Sequence, residues 1–359
     1  MNKSFWKNKK ILITGHTGFK GTWLSLILLL FGAKIIGISL KLTKKNLFFK
    51  KLNIENKIKN YFVDISNLKN LKRIIIKEKP EFIFHLAAQS LVSEGFADPI
   101  NTFRTNVSGT ANLMESIRDL DFVKVAIVVT SDKVYRINHD KKFFVESDEL
   151  GGDDPYSSSK ACQELIVHSF LKSYFFNKKN NPIIATVRSG NVLGGGDFSE
   201  NRIFPDIIRS IVNSDKLIIR NQKSIRPWQH VLDPLNGYLK LAQILYKQKK
   251  NHINYFNFNF GPNYSSFKTV KQLVDKVRHI SDYKFDYKIN MQIFKKFKET
   301  DVLLLNSNKS KALLNWKPKL NFDQSIKITY DWYETFINHN NDKKLIYEIT
   351  KKQILKFFV

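Results

Sequence analysis

Cysteine is nearly absent from this sequence: Cys162 is the only one in 359 residues. A single thiol closes no internal disulfide, builds no cysteine zinc site and supplies no CxxC redox pair, so a reducing, cytoplasmic setting is expected. Long apolar runs are missing too. The longest, Trp23 to Ala33, contains Ser25 and Gly32 and falls far short of the ~20 residues a membrane-spanning helix needs. Near the N-terminus, Lys3, Lys7, Lys9 and Lys10 ahead of apolar residues imitate a secretion signal, but Gly15 to Gly21 breaks the run, and export is not expected. Acidic residues are scarce, 32 Asp+Glu against 59 Lys+Arg, for a formal charge of +27. The basic excess is scattered in doublets such as Lys44-Lys45, Lys50-Lys51, Lys178-Lys179 and Lys249-Lys250. No basic arm or zinc-finger spacing exists, so neither nucleic acid nor a membrane is an expected partner. Part of the excess suits an anionic substrate such as a nucleotide diphosphate. The 8 His are dispersed, with no pair at ligand spacing on a helix, and no metal is expected.

What is present is a globular composition, 43% hydrophobic, with no internal repeat and no low-complexity linker. Whole-chain disorder is excluded, and the length fits two domains or one large domain with a smaller lobe. Short apolar runs alternate with amphipathic segments through the first half, the pattern of βαβ units. Strands are expected at 10–14, 34–40, 61–63, 82–86, 123–130 and 183–187, with helices at about 22–31, 68–79, 99–118 and 155–176. Beyond Ser189 the rhythm changes, and only 233–247 reads clearly as another long helix. The expected architecture is α/β: a Rossmann-type, doubly wound parallel sheet with a smaller C-terminal substrate-binding lobe. Residues 1–188, with 233–260 returning, would form the dinucleotide domain, and 189–232 with 261–359 the lobe.

Between the first strand and first helix stands Gly15-His16-Thr17-Gly18-Phe19-Lys20-Gly21, a GxxGxxG spacing. Glycines let the backbone turn tightly and approach a pyrophosphate at the N-terminus of the next helix. The second strand ends in Gly37-Ile38-Ser39-Leu40, without the acidic residue that usually holds the adenosine ribose. NAD is the expected cofactor, with NADP left open. Asp64-Ile65 is placed to contact the adenine.

Tyr156 and Lys160, in Tyr156-Ser157-Ser158-Ser159-Lys160, are one helical turn apart on one face. An ammonium beside a phenol favours the phenolate, a base for a hydroxyl proton while hydride leaves to a nicotinamide. Ser131, at the end of the fifth strand, lies at the edge where open α/β sheets bind ligands and can hydrogen-bond the same oxygen.

The glycine loop, His85-Leu86-Ala87-Ala88-Gln89, Thr130-Ser131-Asp132-Lys133 and the Tyr156/Lys160 pair together resemble the extended short-chain dehydrogenase/reductases. Further segments narrow the resemblance to the CDP-glucose 4,6-dehydratase family: Ser4-Phe5-Trp6, Leu150-Gly151-Gly152 ahead of Asp154-Pro155-Tyr156, Gly190-Asn191-Val192, Gly194 to Asp197, Arg226 to Val231 and Asn315-Trp316-Lys317-Pro318. It runs on to an expected helix near Trp332-Tyr333 and so spans nearly the whole chain. That family also lacks the acid at the end of the second strand, as Ser39 does here.

The resemblance implies conversion of CDP-glucose to CDP-4-keto-6-deoxyglucose with NAD borrowed and returned. On this sequence it implies catalysis by Ser131, Asp132, Lys133, Tyr156 and Lys160, with Lys133 as candidate base at C5. Cofactor contacts are expected from Gly15, His16, Thr17, Gly18, Phe19, Gly21, Asp64, Ile65, Leu86, Ala87, Ala88, Gln89 and Asn106, beside Tyr156 and Lys160. Arg188, Asn191, Arg202 and Arg226 are expected on the substrate, the arginine fork matching phosphate oxygens. His16 and His85 read as loop and core residues rather than acid-base groups. A homodimer through the helices at 99–118 and 155–176 is the usual arrangement among similar proteins. The rival readings are a sugar-nucleotide 4-epimerase or reductase, a dehydratase for another nucleotide sugar, and a non-catalytic cofactor-binding protein. Epimerisation has no use for the Asp132-Lys133 pair, which favours dehydration.

Overall fold

The computed structural model describes residues 1–137, 143–175, 182–247, 256–290, 302–339 and 342–359. At its centre is a seven-stranded sheet. Its strands in chain order are β1 Lys10–Thr14, β2 Lys34–Ser39, β3 Lys59–Phe62, β4 Phe82–His85, β5 Val125–Val129, β6 Ile183–Arg188 and β7 Phe256–Asn259. Their spatial order is β7-β6-β5-β4-β1-β2-β3, every pairing parallel. The order reverses between β1 and β4, which opens a crevice at the carboxyl ends of the strands.

Parallel strands covered on both faces read as continuous apolar runs, and Lys10 to Thr14 shows why. Ile11 and Ile13 point into one core layer and Leu12 into the other, as the two-residue side-chain period requires. Helices α1 Phe19–Leu30, α2 Leu68–Glu78, α3 Pro99–Phe103, α4 Gly109–Ile117 and α5 Pro155–Phe170 accompany these strands. The expected helix at 99–118 is α3 and α4 joined through a π-helical turn, Arg104–Ser108. The helix expected at 155–176 passes from α5 into a second π turn, Leu171–Phe175, and position 176 lies outside the described residues. Helix α1 starts at Phe19 rather than near Thr22 because Gly18 is its N-cap and accepts the Thr22 amide at 2.8 Å.

One expectation is corrected in the second half. Besides α7 Leu232–Lys247, the structure contains α6 Ile203–Asn213, α8 Val270–Ile280, α9 Phe322–Asn338 and α10 Lys343–Phe357. Helices α8 and α9 both begin with capping boxes, Thr269 with Gln272 and Asn321 with Gln324. Those pairs were visible in the sequence. The helix expected near Trp332-Tyr333 is α9, whose Trp332, Tyr333 and Phe336 pack under the loop Gly194 to Phe198.

Candidate active site

The glycine loop is shaped by two close approaches. Gly15 has φ +74°, a left-handed conformation that glycine adopts without penalty. A Cβ there would stand 2.7 Å from the Ala87 amide nitrogen, and one on Gly21 only 2.1 Å from the Gly15 carbonyl oxygen. The loop is thereby pressed between the end of β4 and the start of α1. A Cβ on Gly18 meets only the Gly15 carbonyl, at 3.4 Å. This leaves the α1 N-terminus open to a cleft of about 890 Å³. Positive helix dipole and open amides suit a pyrophosphate, so the residues present fit a dinucleotide. Gly15, Thr17, Gly18, Phe19 and Gly21 line this cleft, joined by Asp64, Ile65 and Leu86 to Gln89.

Two expected cofactor contacts stand behind the wall instead. His16 is fully buried, its Nε2 2.8 Å from Asn60 Oδ1 and its ring packed beneath Gly37. Asn106, also fully buried, donates to the Gln89 carbonyl at 3.0 Å and Ser159 Oγ at 2.8 Å and accepts the Gln89 amide at 2.8 Å. Both stand outside the cleft lining, Asn106 with its polar atoms taken up by Gln89 and Ser159 and His16 with its Nε2 on Asn60.

The catalytic side chains converge from two elements. Asp154 caps α5 by accepting the Ser157 amide, and Pro155 occupies the first helical position. This places Tyr156 and Lys160 in the first turns, both buried and both lining the cleft. Opposite them, the chain leaves β5 into a 3₁₀ turn, Asp132–Val134. Ser131 Oγ accepts the Lys133 amide at 3.2 Å and donates to Asp132 Oδ1 at 3.0 Å. Ser131, Asp132 and Lys133 all line the cleft, as does Tyr156, whose phenol the Ser131 side chain pulls down.

Burial pushes the Tyr156 phenol up to about 12 despite the Ser131 hydrogen bond. Lys160 Nζ donates to the Val129 carbonyl at 3.3 Å. Burial, then the Lys20 charge, brings Lys160 itself down to about 7. Asp132 is raised by burial, with Lys133, Ser131, Lys20 and Arg226 opposing. A carboxyl raised in this way is moved towards the range in which it can serve as an acid.

Asn191, Arg202 and Arg226 line the far side of the cleft. Arg202 Nη1 is paired with Asp197 Oδ2 at 2.8 Å, a partner that sequence reasoning did not assign. Arg188 is not among them. Its guanidinium is 1% exposed and committed to Glu164, the Tyr135 hydroxyl and the Glu146 carbonyl. This corrects its expected substrate role, since a strand residue on β6 points into the core layer beneath the crevice.

Sequence reasoning also passed over Lys20. It lines the cleft, its Nζ donates to Ser189 Oγ at 2.9 Å, and Tyr238 donates to the same oxygen at 2.8 Å. Burial, then Arg202, lowers Lys20 to about 8. The available signal was a charged residue inside the glycine loop, at a position flanked by Phe19 and Gly21. Among the described residues no His/Cys/Asp/Glu group could hold a metal, and no helix is long and apolar enough to cross a membrane.

The family model for GDP-mannose 4,6 dehydratase matches residues 12–329. The chain belongs to that family. Among curated relatives of this dehydratase family member, CDP-glucose 4,6-dehydratase of Salmonella typhimurium is 37% identical over 94% of each chain. The human dTDP-D-glucose 4,6-dehydratase is 27% identical, again over 94% of each. The earlier resemblance to the CDP-glucose 4,6-dehydratases is thus borne out. Among solved structures, Bacillus anthracis dTDP-glucose 4,6-dehydratase in complex with NAD superposes with a TM-score of 0.74 at 24% identity, covering 94% of this chain and 99% of that one. A UDP-glucose 4-epimerase from Thermotoga maritima gives 0.76 at 22%, covering 91% and 99%. At these identities the structures show a shared fold.

Proposed function

We propose that the chain is an NAD-dependent CDP-glucose 4,6-dehydratase, forming CDP-4-keto-6-deoxyglucose and water. The observation that carries this reading is the Ser131-Asp132-Lys133 turn facing Tyr156 across the cleft that the glycine loop opens. It is supported by the 37% identity to the Salmonella CDP-glucose enzyme over nearly the full length of both chains. NAD, when bound against the glycine loop, supplies an acceptor for the C4 hydride and returns that hydride to C6.

The chain's own residues handle the protons. Tyr156 in its phenolate form, which the Ser131 side chain and the Lys160 charge favour, takes the proton of the C4 hydroxyl. The resulting ketone acidifies the neighbouring C5 position, whose proton Lys133 is placed to remove. Asp132, raised by burial, protonates the departing C6 oxygen, so the C6–O bond breaks and water leaves. Lys133 returns its proton to C5 as C6 is reduced, and the proton gained by Tyr156 restores Asp132 by way of solvent, leaving no net redox or proton change. Arg226 and Arg202 on the lobe side of the cleft suit the substrate diphosphate. In this scheme residues 1–188 with 233–260 hold the cofactor, and 189–232 with 261–359 hold the sugar nucleotide. Ile100 and Leu165, 76% and 55% exposed on α3 and α5, support a homodimer through those helices. A cytoplasmic enzyme is in keeping with the single cysteine.

Incubation with NAD+ and CDP-, UDP- or dTDP-glucose, read by mass spectrometry, tests the reading. Loss of one water from CDP-glucose without net NADH is expected. A product epimeric at C4 with unchanged mass would overturn it in favour of epimerisation.

A further inference from the structure

Lys20 stands where a cation is disfavoured. It lies in the first turn of α1, at the positive end of the helix dipole. Arg202 and Lys160 are close enough for like charges to act between them and Lys20, and among the described residues no carboxylate pairs with it. Its Nζ is committed instead to Ser189 Oγ, 2.9 Å away, and Tyr238 of α7 donates to the same oxygen at 2.8 Å. Ser189 leads directly to Asp132. The Ser189 carbonyl accepts the Asp132 amide at 3.3 Å. The Asp132 carboxyl lies against the next residue, where a Cβ on Gly190 would stand 2.8 Å from Oδ2. A lysine of the glycine loop is therefore tied, through one serine, to the backbone that seats Asp132. Asp132 is 6% exposed. It is faced by Ser131 and Lys133 on its own turn, by Lys20 from α1, by Tyr156 from α5, by Tyr238 from α7 and by Arg226 across the cleft.

We propose that Lys20 is a positioning residue for the elimination step: through Ser189 it seats Asp132, and it sets a positive charge beside that carboxyl. The proposal rests on the dehydratase reading of the cleft. Burial by itself raises Asp132 and so weakens it as an acid. A nearby cation favours the carboxylate, and an acid with a more stable conjugate base gives up its proton to the departing C6 oxygen more readily.

The test uses the full chain carrying Lys20→Met, which keeps an unbranched apolar stem and removes the charge. With CDP-glucose and NAD+, NADH is expected to form at the parent's rate and to accumulate, because loss of water slows roughly tenfold. The alkaline limb of the dehydration rate should move to higher pH, since a carboxyl deprived of its cation keeps its proton longer. NAD+ affinity should stay within about twofold of the parent's, and the urea midpoint should not fall. Ser189→Ala, which leaves the charge and cuts the tether, should slow water loss as well. Equal loss of NADH formation and dehydration, weakened NAD+ binding with dehydration otherwise intact, or an unmoved alkaline limb would overturn the proposal. If the parent dehydrates no sugar nucleotide, the dehydratase reading fails and the elimination role fails with it. The link from Lys20 to Asp132 is then decided by NMR titration of the aspartate carboxyls, with Asp132→Asn identifying the resonance: its midpoint should rise in Lys20→Met, and an unchanged midpoint removes the link.

Discussion

Arg188 and Glu164 meet as a two-pronged ion pair inside the protein, Nε to Oε1 at 2.9 Å and Nη2 to Oε2 at 3.1 Å, with 1% and 0% of their side chains exposed. Glu164 lies one turn beyond Lys160 on α5, and it also accepts the hydroxyls of Thr130 and Thr186. Arg188 in turn donates to Tyr135 at 2.8 Å, just past the Ser131-Asp132-Lys133 turn, and Tyr135 reaches Asn259 on β7 at 2.7 Å. The two elements that carry the catalytic side chains are therefore fixed to one another through a single buried hub.

Removing one member of a buried pair leaves the other charge uncompensated. Glu164→Ala is expected to lower unfolding free energy by about 3–5 kcal/mol, read as a shift in the urea midpoint. A double-mutant cycle with Arg188→Met should show strong coupling, the double variant losing less than the sum of the two singles. Additive losses would contradict the hub.

Much of this was legible in the sequence, and the illegible parts share a cause. The βαβ rhythm, the glycine loop and the Tyr156/Lys160 spacing depend on local periodicity, and the structure reproduces them. Arg188 and His16 sit in segments that flank the crevice, but whether a side chain enters the crevice or the core depends on long-range partners: Glu164 is 24 residues from Arg188, and Asn60 is 44 from His16. No local pattern announces such pairings. The family relationship supplied the substrate class, which spacing alone does not contain.

Protonation makes a second prediction. Lys160 is brought down to about 7 by burial, whereas an unfolded lysine titrates near ~10.4. Between these values the unfolded chain binds more protons, so stability rises with pH there, and below about 7 the burial penalty is fully felt. The slope from this one group approaches about 1.4 kcal/mol per pH unit. In the cofactor-free protein, Lys160→Met should be more stable than the parent at neutral pH and should flatten the rise in urea midpoint from neutral to alkaline pH. An unchanged slope would contradict a depressed Lys160.

Proton handling at C5 separates Lys133 from Tyr156. Lys133→Ala is expected to reduce water loss by roughly 10²–10⁴-fold while C4 oxidation, seen as transient NADH absorbance with CDP-glucose, persists. Tyr156→Phe should suppress both, because no hydride leaves C4 while the hydroxyl keeps its proton. Equal loss of oxidation and dehydration in Lys133→Ala would remove Lys133 from the base role.

A methyl group at Gly195 tests how the C-terminal helices hold the cleft. A Cβ there would lie 2.0 Å from the indole of Trp332 on α9, and the Gly195 carbonyl already accepts Trp23 Nε1 of α1 at 2.9 Å. Trp332 is fully buried, its own Nε1 donating to Thr350 of α10 at 2.8 Å, so it has no room to retreat. Overpacking of this kind typically destabilises by about 1–3 kcal/mol. The displaced loop continues directly into Asp197, whose carboxylate holds Arg202 at the cleft. Gly195→Ala should therefore lower thermal stability and raise KM for the sugar nucleotide more than it lowers kcat, since Tyr156, Lys160 and Lys133 stand on other elements. A variant with the parent's melting temperature and KM would show that the Trp332 contact does not transmit to the substrate side.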